Sequence, residues 1–164
     1  MSAPLLVADS GPLIALARLD LLVIPARLFS ALMVTATVWN EVTREPRAAE
    51  QQALSAALAQ GLLRVEDDPQ PWPSALVEAR LDAGERSALA LALVHGAVVL
   101  VDERRGRAVA ADLGLSVVGT LGLLVRAREL GMVQRVRPIV DVLLASGYYL
   151  ALPLVDRALA AVGE

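Results

Sequence analysis

The sequence predicts an α/β protein, a three-layer α/β/α sandwich around a central parallel sheet of four to five strands. Two observations carry that expectation. Short apolar runs at 5–8, 32–35, 62–65, 97–101 and 115–118 alternate with helix-length stretches. Most of these runs are apolar on both faces, as strands buried between two helical layers must be.

Leu5–Ala8 is a continuous apolar run that ends in Asp9-Ser10-Gly11-Pro12, a strand followed by a turn and a helix start. Pro12 suits a first helical position, and Leu13, Ile14, Leu16 and Ala17 make a short apolar helix. Asp20 opens a further helical stretch, kinked around Pro25 and running to Phe29. Leu32–Thr35 is the second strand. Thr37 caps a helix carrying Val38, Trp39 and Val42, which Pro46 ends. Arg47 to Gln60 is an Ala-rich helix closed by Gly61. Leu62–Val65 is a weaker strand, Asp67–Pro73 a polar loop, and Ser74–Arg80 a short helix. Asp82 opens a helix whose stretch Ser87–Val94 is so apolar that it must be buried all round. Ala97–Val101 is the strongest strand. Arg105–Asp112 is a helix closed by Gly114, Leu115–Val118 the last core strand, and Thr120–Leu130 a helix closed by Gly131. Two more helices, 135–145 and 153–162, meet at Gly147-Tyr148-Tyr149. The expected organisation is one domain over 1–164, with a core at 5–131 and C-terminal helices at 135–164.

Composition excludes much chemistry. The chain of 164 residues has no cysteine and one histidine, His95. Disulfides, thiolate zinc sites, cysteine nucleophiles and multi-histidine metal sites are therefore out. All fifteen basic residues are arginine. Without lysine there is no P-loop and no Schiff-base chemistry. What remains is carboxylate, hydroxyl and guanidinium. The net charge of −3 argues against a nucleic-acid surface made of one whole basic face. Aromatics are only 3% and apolar residues 56%, so the core is Leu, Val and Ala, and the apolar excess suggests a patch covered by another subunit, a homodimer in the simplest case. No run of 18 uncharged apolar residues suggests a membrane span, and no basic-then-apolar leader opens the chain; the cytoplasm is the expected compartment.

Ligands of parallel α/β sheets gather at the carboxyl ends of the strands. There stand Asp9 followed by Ser10, and Asp102-Glu103. Glu41 lies on the helix after the second strand, and Glu85 opens the helix feeding the strongest strand. Crowded carboxylates repel unless one takes a proton or a cation sits among them. An all-oxygen donor set suits Mg2+ or Mn2+. Such an ion, or a pair about 4 Å apart, activates water and clamps a phosphodiester. Each acid has a plainer reading. Asp9 fits a turn or cap, Glu41 a solvated helix face with Glu45 one turn on, and Glu85 a capping box with Asp82. Asp102, directly after a buried strand, is the hardest to explain structurally. Arg104, Arg105 and Arg107 open a helix where the dipole disfavours cations, and there they are placed to contact phosphates. The plainer alternative for them is a solvated face paired with Glu103. Thr120 reads as a helix cap, His95 as a structural histidine, and Trp39 and Trp72 as packing.

Four segments in order resemble one family. They are Val7-Ala8-Asp9-Ser10-Gly11-Pro12-Leu13-Ile14-Ala15-Leu16, Val38-Trp39-Asn40-Glu41-Val42, Leu81-Asp82-Ala83-Gly84-Glu85-Arg86-Ser87-Ala88 and Leu100-Val101-Asp102-Glu103-Arg104-Arg105-Gly106-Arg107. Together with Gly114-Leu115 and Gly119-Thr120-Leu121-Gly122-Leu123-Leu124 they resemble PIN-domain proteins, close to VapC-like toxins. The resemblance covers residues 5 to about 131. It implies a parallel sheet between helices and a Mg2+- or Mn2+-dependent ribonuclease. Asp9, Glu41, Glu85 and Asp102 would be its catalytic acids, with the metal on Asp9, Glu85 and Asp102. Ser10 and Glu103 would lie just behind those ligands, and RNA would lie along Arg104, Arg105 and Arg107. It also implies an antitoxin partner and dimerisation. Two departures are Val101 where many relatives carry Thr or Ser near the fourth acid, and Glu85 where the toxin branch often has Asp. They motivate the alternative of a non-catalytic module that dimerises or binds an antitoxin.

Overall fold

The structure, a computed structural model, describes residues 2–44 and 48–164. The expected helix stop at Pro46, the start at Arg47 and the neighbouring charge of Glu45 lie outside the described residues. The chain forms two compact units, Met1–Val118 and Gly119–Glu164.

The first unit holds five parallel strands: β1 (Leu5–Ala8), β2 (Ala31–Thr35), β3 (Arg64–Glu66), β4 (Val98–Leu100) and β5 (Val117–Val118). Their order is β3-β2-β1-β4-β5. Helices α1 (Ser10–Arg18) and α2 (Val23–Leu28) join β1 to β2, and α3 (Ala36–Arg44) and α4 (Ala48–Ala59) lead to β3. Helices α5 (Ser74–Glu78) and α6 (Ala83–His95) bring the chain back to β4, and α7 (Arg104–Asp112) leads to β5. The chain therefore reverses its direction of travel between β1 and β4, the switch point where doubly wound sheets bind ligands. This is the expected parallel sheet between helices.

The three central strands β1, β2 and β4 are buried because their interiors are apolar: Leu6, Val7, Ala8, Leu32, Met33, Val34, Val99 and Leu100 are all essentially without exposure, whereas the outer strands β3 and β5 are half-buried or exposed. Helix α6 packs on β1, β2 and β4, and 87–92 of it is buried on every side; the expected burial does not reach Val94, which is exposed on the last turn, with Leu93 half-buried. It ends at Gly96, whose φ of 59° closes the helix in a left-handed conformation. His95 is exposed on its last turn.

Three local expectations change. Asp20 does not open a helix; it takes a left-handed φ of 55° between α1 and α2, tolerated because its short polar side chain suits that region. Thr37 does not cap α3. Thr35 does, its hydroxyl accepting the Val38 N–H at 3.1 Å, while Thr37 donates through N–H and hydroxyl to the Asp68 carboxylate. Thr120 is the first residue of α8, with Gly119 in the cap position.

The second unit comprises α8 (Thr120–Glu129), α9 (Arg137–Ala145) and α10 (Leu152–Ala161). Helix α10 packs on α8. The Glu164 carboxylate accepts the backbone N–H groups of Val136 and Arg137 at 2.8 and 2.9 Å, capping α9 from a distance of 27 residues or more. Among the described residues no helix is long and apolar enough to cross a membrane.

Candidate active site

Asp9 follows β1 and stands at the head of α1. Its backbone N–H donates to the Leu100 carbonyl at 3.0 Å, continuing the β1–β4 pairing by one residue. Its backbone is extended, as a cap residue's is, yet its carboxylate makes no helix-capping hydrogen bond. The plain reading as a cap therefore does not account for this side chain, which is only 6% exposed. Burial pushes its pKa up from 3.8 to about 7. The Ser10 N–H opposes the rise, and the negative charges of Glu85, Asp82 and Glu41 add to it. Three acids from two other helices thus act on one buried carboxyl group.

Glu41 comes from the second turn of α3. Its Oε2 accepts the Ser10 hydroxyl at 2.5 Å, so the residue after the first acid holds the second. The carboxylate lies against Gly84 at the start of α6. A Cβ on Gly84 would stand 2.9 Å from Glu41 Cδ, so any side chain here would push the carboxylate aside. Beneath it runs a buried hydroxyl chain. Thr35 and Ser87 share a hydrogen bond of 2.7 Å, and the Ser87 hydroxyl donates to the Gly84 carbonyl at 2.9 Å.

Glu85 has the capping role expected of it. It completes a capping box: its Oε2 accepts the Asp82 N–H at 3.1 Å, and Asp82 Oδ1 accepts the Glu85 N–H at 2.8 Å. It is also buried, and its other oxygen faces Gly106 on α7, 3.2 Å from where a Cβ would stand. Burial raises its pKa, against the Asp82 N–H; Asp82 and Glu103 raise it further and Arg105 lowers it. Asp82 is the site member that sequence reasoning treated only as a cap. The Asp82-x-x-Glu85 spacing was the signal, because the cap that orients Glu85 necessarily brings a second carboxylate.

Asp102 lies two residues beyond the end of β4, half-buried, at the same end of the sheet as Asp9 on the adjacent strand. Of the four expected acids, Asp9, Glu41 and Glu85 are electrostatically joined, and Asp102 shares the strand end. Among the described residues no three acidic or histidine side chains converge closely enough to hold a metal ion as they stand. The reason is local: Glu41 is drawn to Ser10 and Glu85 to the Asp82 N–H, each satisfied by an internal donor. The donor set itself fits Mg2+ or Mn2+. It is all oxygen, and a buried carboxyl group beset by negative neighbours is where a dication relieves most repulsion.

Beside Glu85 opens a cavity of about 760 Å3 lined by Arg80, Asp82, Glu85, Glu103, Arg104, Arg105 and Ala108. Arg104 and Arg105 stand there as expected, and Arg80 joins them from the loop before α6. Arg105 spends one N–H on the Arg80 carbonyl at 3.1 Å. Arg107 is outside this lining; its Nη1 holds the Val101 carbonyl at 3.0 Å, fixing the backbone just before Asp102.

The DUF3368 family model, described as a PIN domain, matches residues 5–164. The chain belongs to the PIN-domain family. The crystal structure of PAE2754 from Pyrobaculum aerophilum is similar in fold, with a TM-score of 0.53 and 24% identity over 74% of this chain and 87% of that one. No curated protein matches the sequence. PIN domains are generally nucleases and typically use divalent metal ions. In this PIN domain the buried Asp9 and its three acidic neighbours stand at the end of the sheet where such chemistry is housed.

Proposed function

We propose that this PIN domain is a metal-dependent endoribonuclease, the toxin-like member of a toxin–antitoxin pair in the cytoplasm. The observation that carries the reading is Asp9: a buried carboxyl group with no capping bond, its pKa pushed up to about 7 by burial and then by Glu85, Asp82 and Glu41. Folding gains nothing from such a group, and a Mg2+ or Mn2+ site does. Asp9, Glu85 and Asp102 would hold the ion. The chemistry supplied on binding it is the acidification of water and the neutralisation of phosphate charge. Glu41, fixed by Ser10, orients the attacking water or completes the ligand set. Glu103 supports the rim, and Arg104, Arg105 and Arg107 take phosphates on either side of the scissile bond, Arg107 with its remaining N–H groups. No side chain becomes covalently attached.

Partner binding forms the other half of the proposal. Tyr149, Leu152 and Leu154 are exposed at 81%, 63% and 48% in the second unit, which supports an apolar interface for an antitoxin or a second copy of the chain. The same observation supports the alternative of a non-catalytic interaction module on this fold.

The test is cleavage of a labelled RNA with Mn2+ by the wild type, Asp9→Asn and Asp102→Asn. The reading expects cleavage by the first alone, with all three folded. Cleavage by folded Asp9→Asn or Asp102→Asn, or no calorimetric Mn2+ uptake by the wild type at millimolar metal, overturns it and leaves the interaction module.

A further inference from the structure

Glu85 and Arg86 are neighbours on α6, and their side chains grip opposite ends of one peptide group. The Leu81–Asp82 peptide gives its N–H to Glu85 Oε2 at 3.1 Å, and its carbonyl accepts from Arg86 Nη2, also at 3.1 Å. The same nitrogen reaches the Ala79 carbonyl at 3.0 Å, and Arg105 holds the Arg80 carbonyl between them. Three consecutive carbonyls, of residues 79, 80 and 81, are therefore each held by an arginine.

We propose that Arg86 is a positioning residue for Glu85, acting through the Leu81–Asp82 peptide. The inference rests on the reading of Glu85 as an acid of the metal site. A cationic donor on the carbonyl fixes the plane of the peptide and polarises its N–H, which strengthens the bond to the Glu85 carboxylate. One oxygen of Glu85 is thereby pinned, and the other is left facing Gly106. The arrangement is not the cheapest way to stabilise a loop. The guanidinium lies 5.4 Å from the centroid of the Trp72 ring, and both Arg86 Nε and Trp72 Nε1 are buried with no hydrogen-bond partner among the described residues. Buried donors left unmade cost stability, and local costs of this kind collect where a site is being held in place.

The test uses the full chain in four forms: wild type, Arg86→Lys, Arg86→Gln, and Leu54→Ala as a destabilised control in the core of the first unit. Two quantities are measured, Mn2+ affinity by calorimetry and exchange of the Asp82 amide hydrogen by NMR. The expected result is a graded loss in both, largest for Arg86→Gln at about tenfold, the scale of an outer-sphere metal partner. Arg86→Lys falls between it and wild type, because an ammonium serves the carbonyls less well. Leu54→Ala lowers the melting temperature and leaves both quantities unchanged. Should Arg86→Gln not fold, Arg86→Lys decides alone, and wild-type values in both measurements overturn the proposal. So does an equal effect of Leu54→Ala. A wild type that takes up no Mn2+ removes the metal-site reading instead, and Asp82 exchange then decides whether Arg86 sets the peptide.

Discussion

The hydroxyl of Ser10 donates to Glu41 Oε2 at 2.5 Å across 31 residues of sequence. It ties the first residue of α1 to the second turn of α3 and presses the Glu41 carboxylate onto Gly84. A hydrogen bond to a charged acceptor of this kind contributes about 1.5–3 kcal/mol.

Ser10→Ala therefore lowers unfolding free energy by about 1.5 kcal/mol, measured by denaturant titration. Gly84→Ala is the sharper probe. Alanine favours the helix by up to about 1 kcal/mol, but its Cβ displaces Glu41. The expected protein is folded and about a hundredfold slower in RNA cleavage, the usual scale for an ångström of misplacement. Wild-type cleavage by Gly84→Ala would remove Glu41 from the chemistry.

Asp9 sets a pH dependence. Its folded pKa of about 7 lies above the unfolded value of 3.8, so the native state binds the extra proton between them. Stability from this group is thus lost as pH rises from about 4 to about 7. Asp9→Asn, which cannot ionise, should match wild type at pH 4 and exceed it at pH 8 by at most about 4 kcal/mol in metal-free buffer. Equal differences at both pH values in guanidinium titrations would contradict the burial of this charge. Metal uptake at pH 6 should release about one proton, seen as a buffer-dependent heat.

The two roles of Glu85 can be separated. Glu85→Gln keeps an acceptor for the Asp82 N–H while removing a buried charge, so its stability stays within about 0.5 kcal/mol of wild type or rises. Its RNA cleavage should fall at least about a hundredfold. Asp82→Ala removes the other half of the box and costs about 1 kcal/mol. A Glu85→Gln variant that unfolds readily yet cleaves normally would make Glu85 a cap and nothing more.

Glu164 closes the second unit. The Arg137 and Val136 N–H groups hold its pKa below the ordinary carboxylate value, chiefly through Arg137. A lowered folded pKa means stability that is present above the carboxylate range and lost as pH falls through it. The protection factors of the Val136 and Arg137 amides, exchange taken relative to the intrinsic rate at each pH, should fall on acidification, and Glu164→Ala should reproduce that fall at neutral pH. Exchange unchanged in the variant would show that α9 does not depend on this cap.

Most of the fold could be read along the chain. Strand and helix placement depends on local apolar runs, caps and glycines, so Leu5–Ala8, the Asp82 start of α6 and the Gly131 stop after α8 were legible from neighbours in sequence. The acids at strand ends were legible too, because a parallel sheet sends its carboxyl ends to one side. Tertiary structure alone decided that Asp9 is desolvated without a capping bond, that Ser10 serves Glu41, and that the Glu41 carboxylate lies against Gly84. It also decided that Thr35 rather than Thr37 caps α3, and that Arg107 spends a donor on Val101. Most of these outcomes depend on burial and on contacts between residues tens of positions apart, Ser10 to Glu41, Glu41 to Gly84 and Thr37 to Asp68. Spacing along the chain carries no record of such distances, whereas helical and strand periodicity arises between near neighbours.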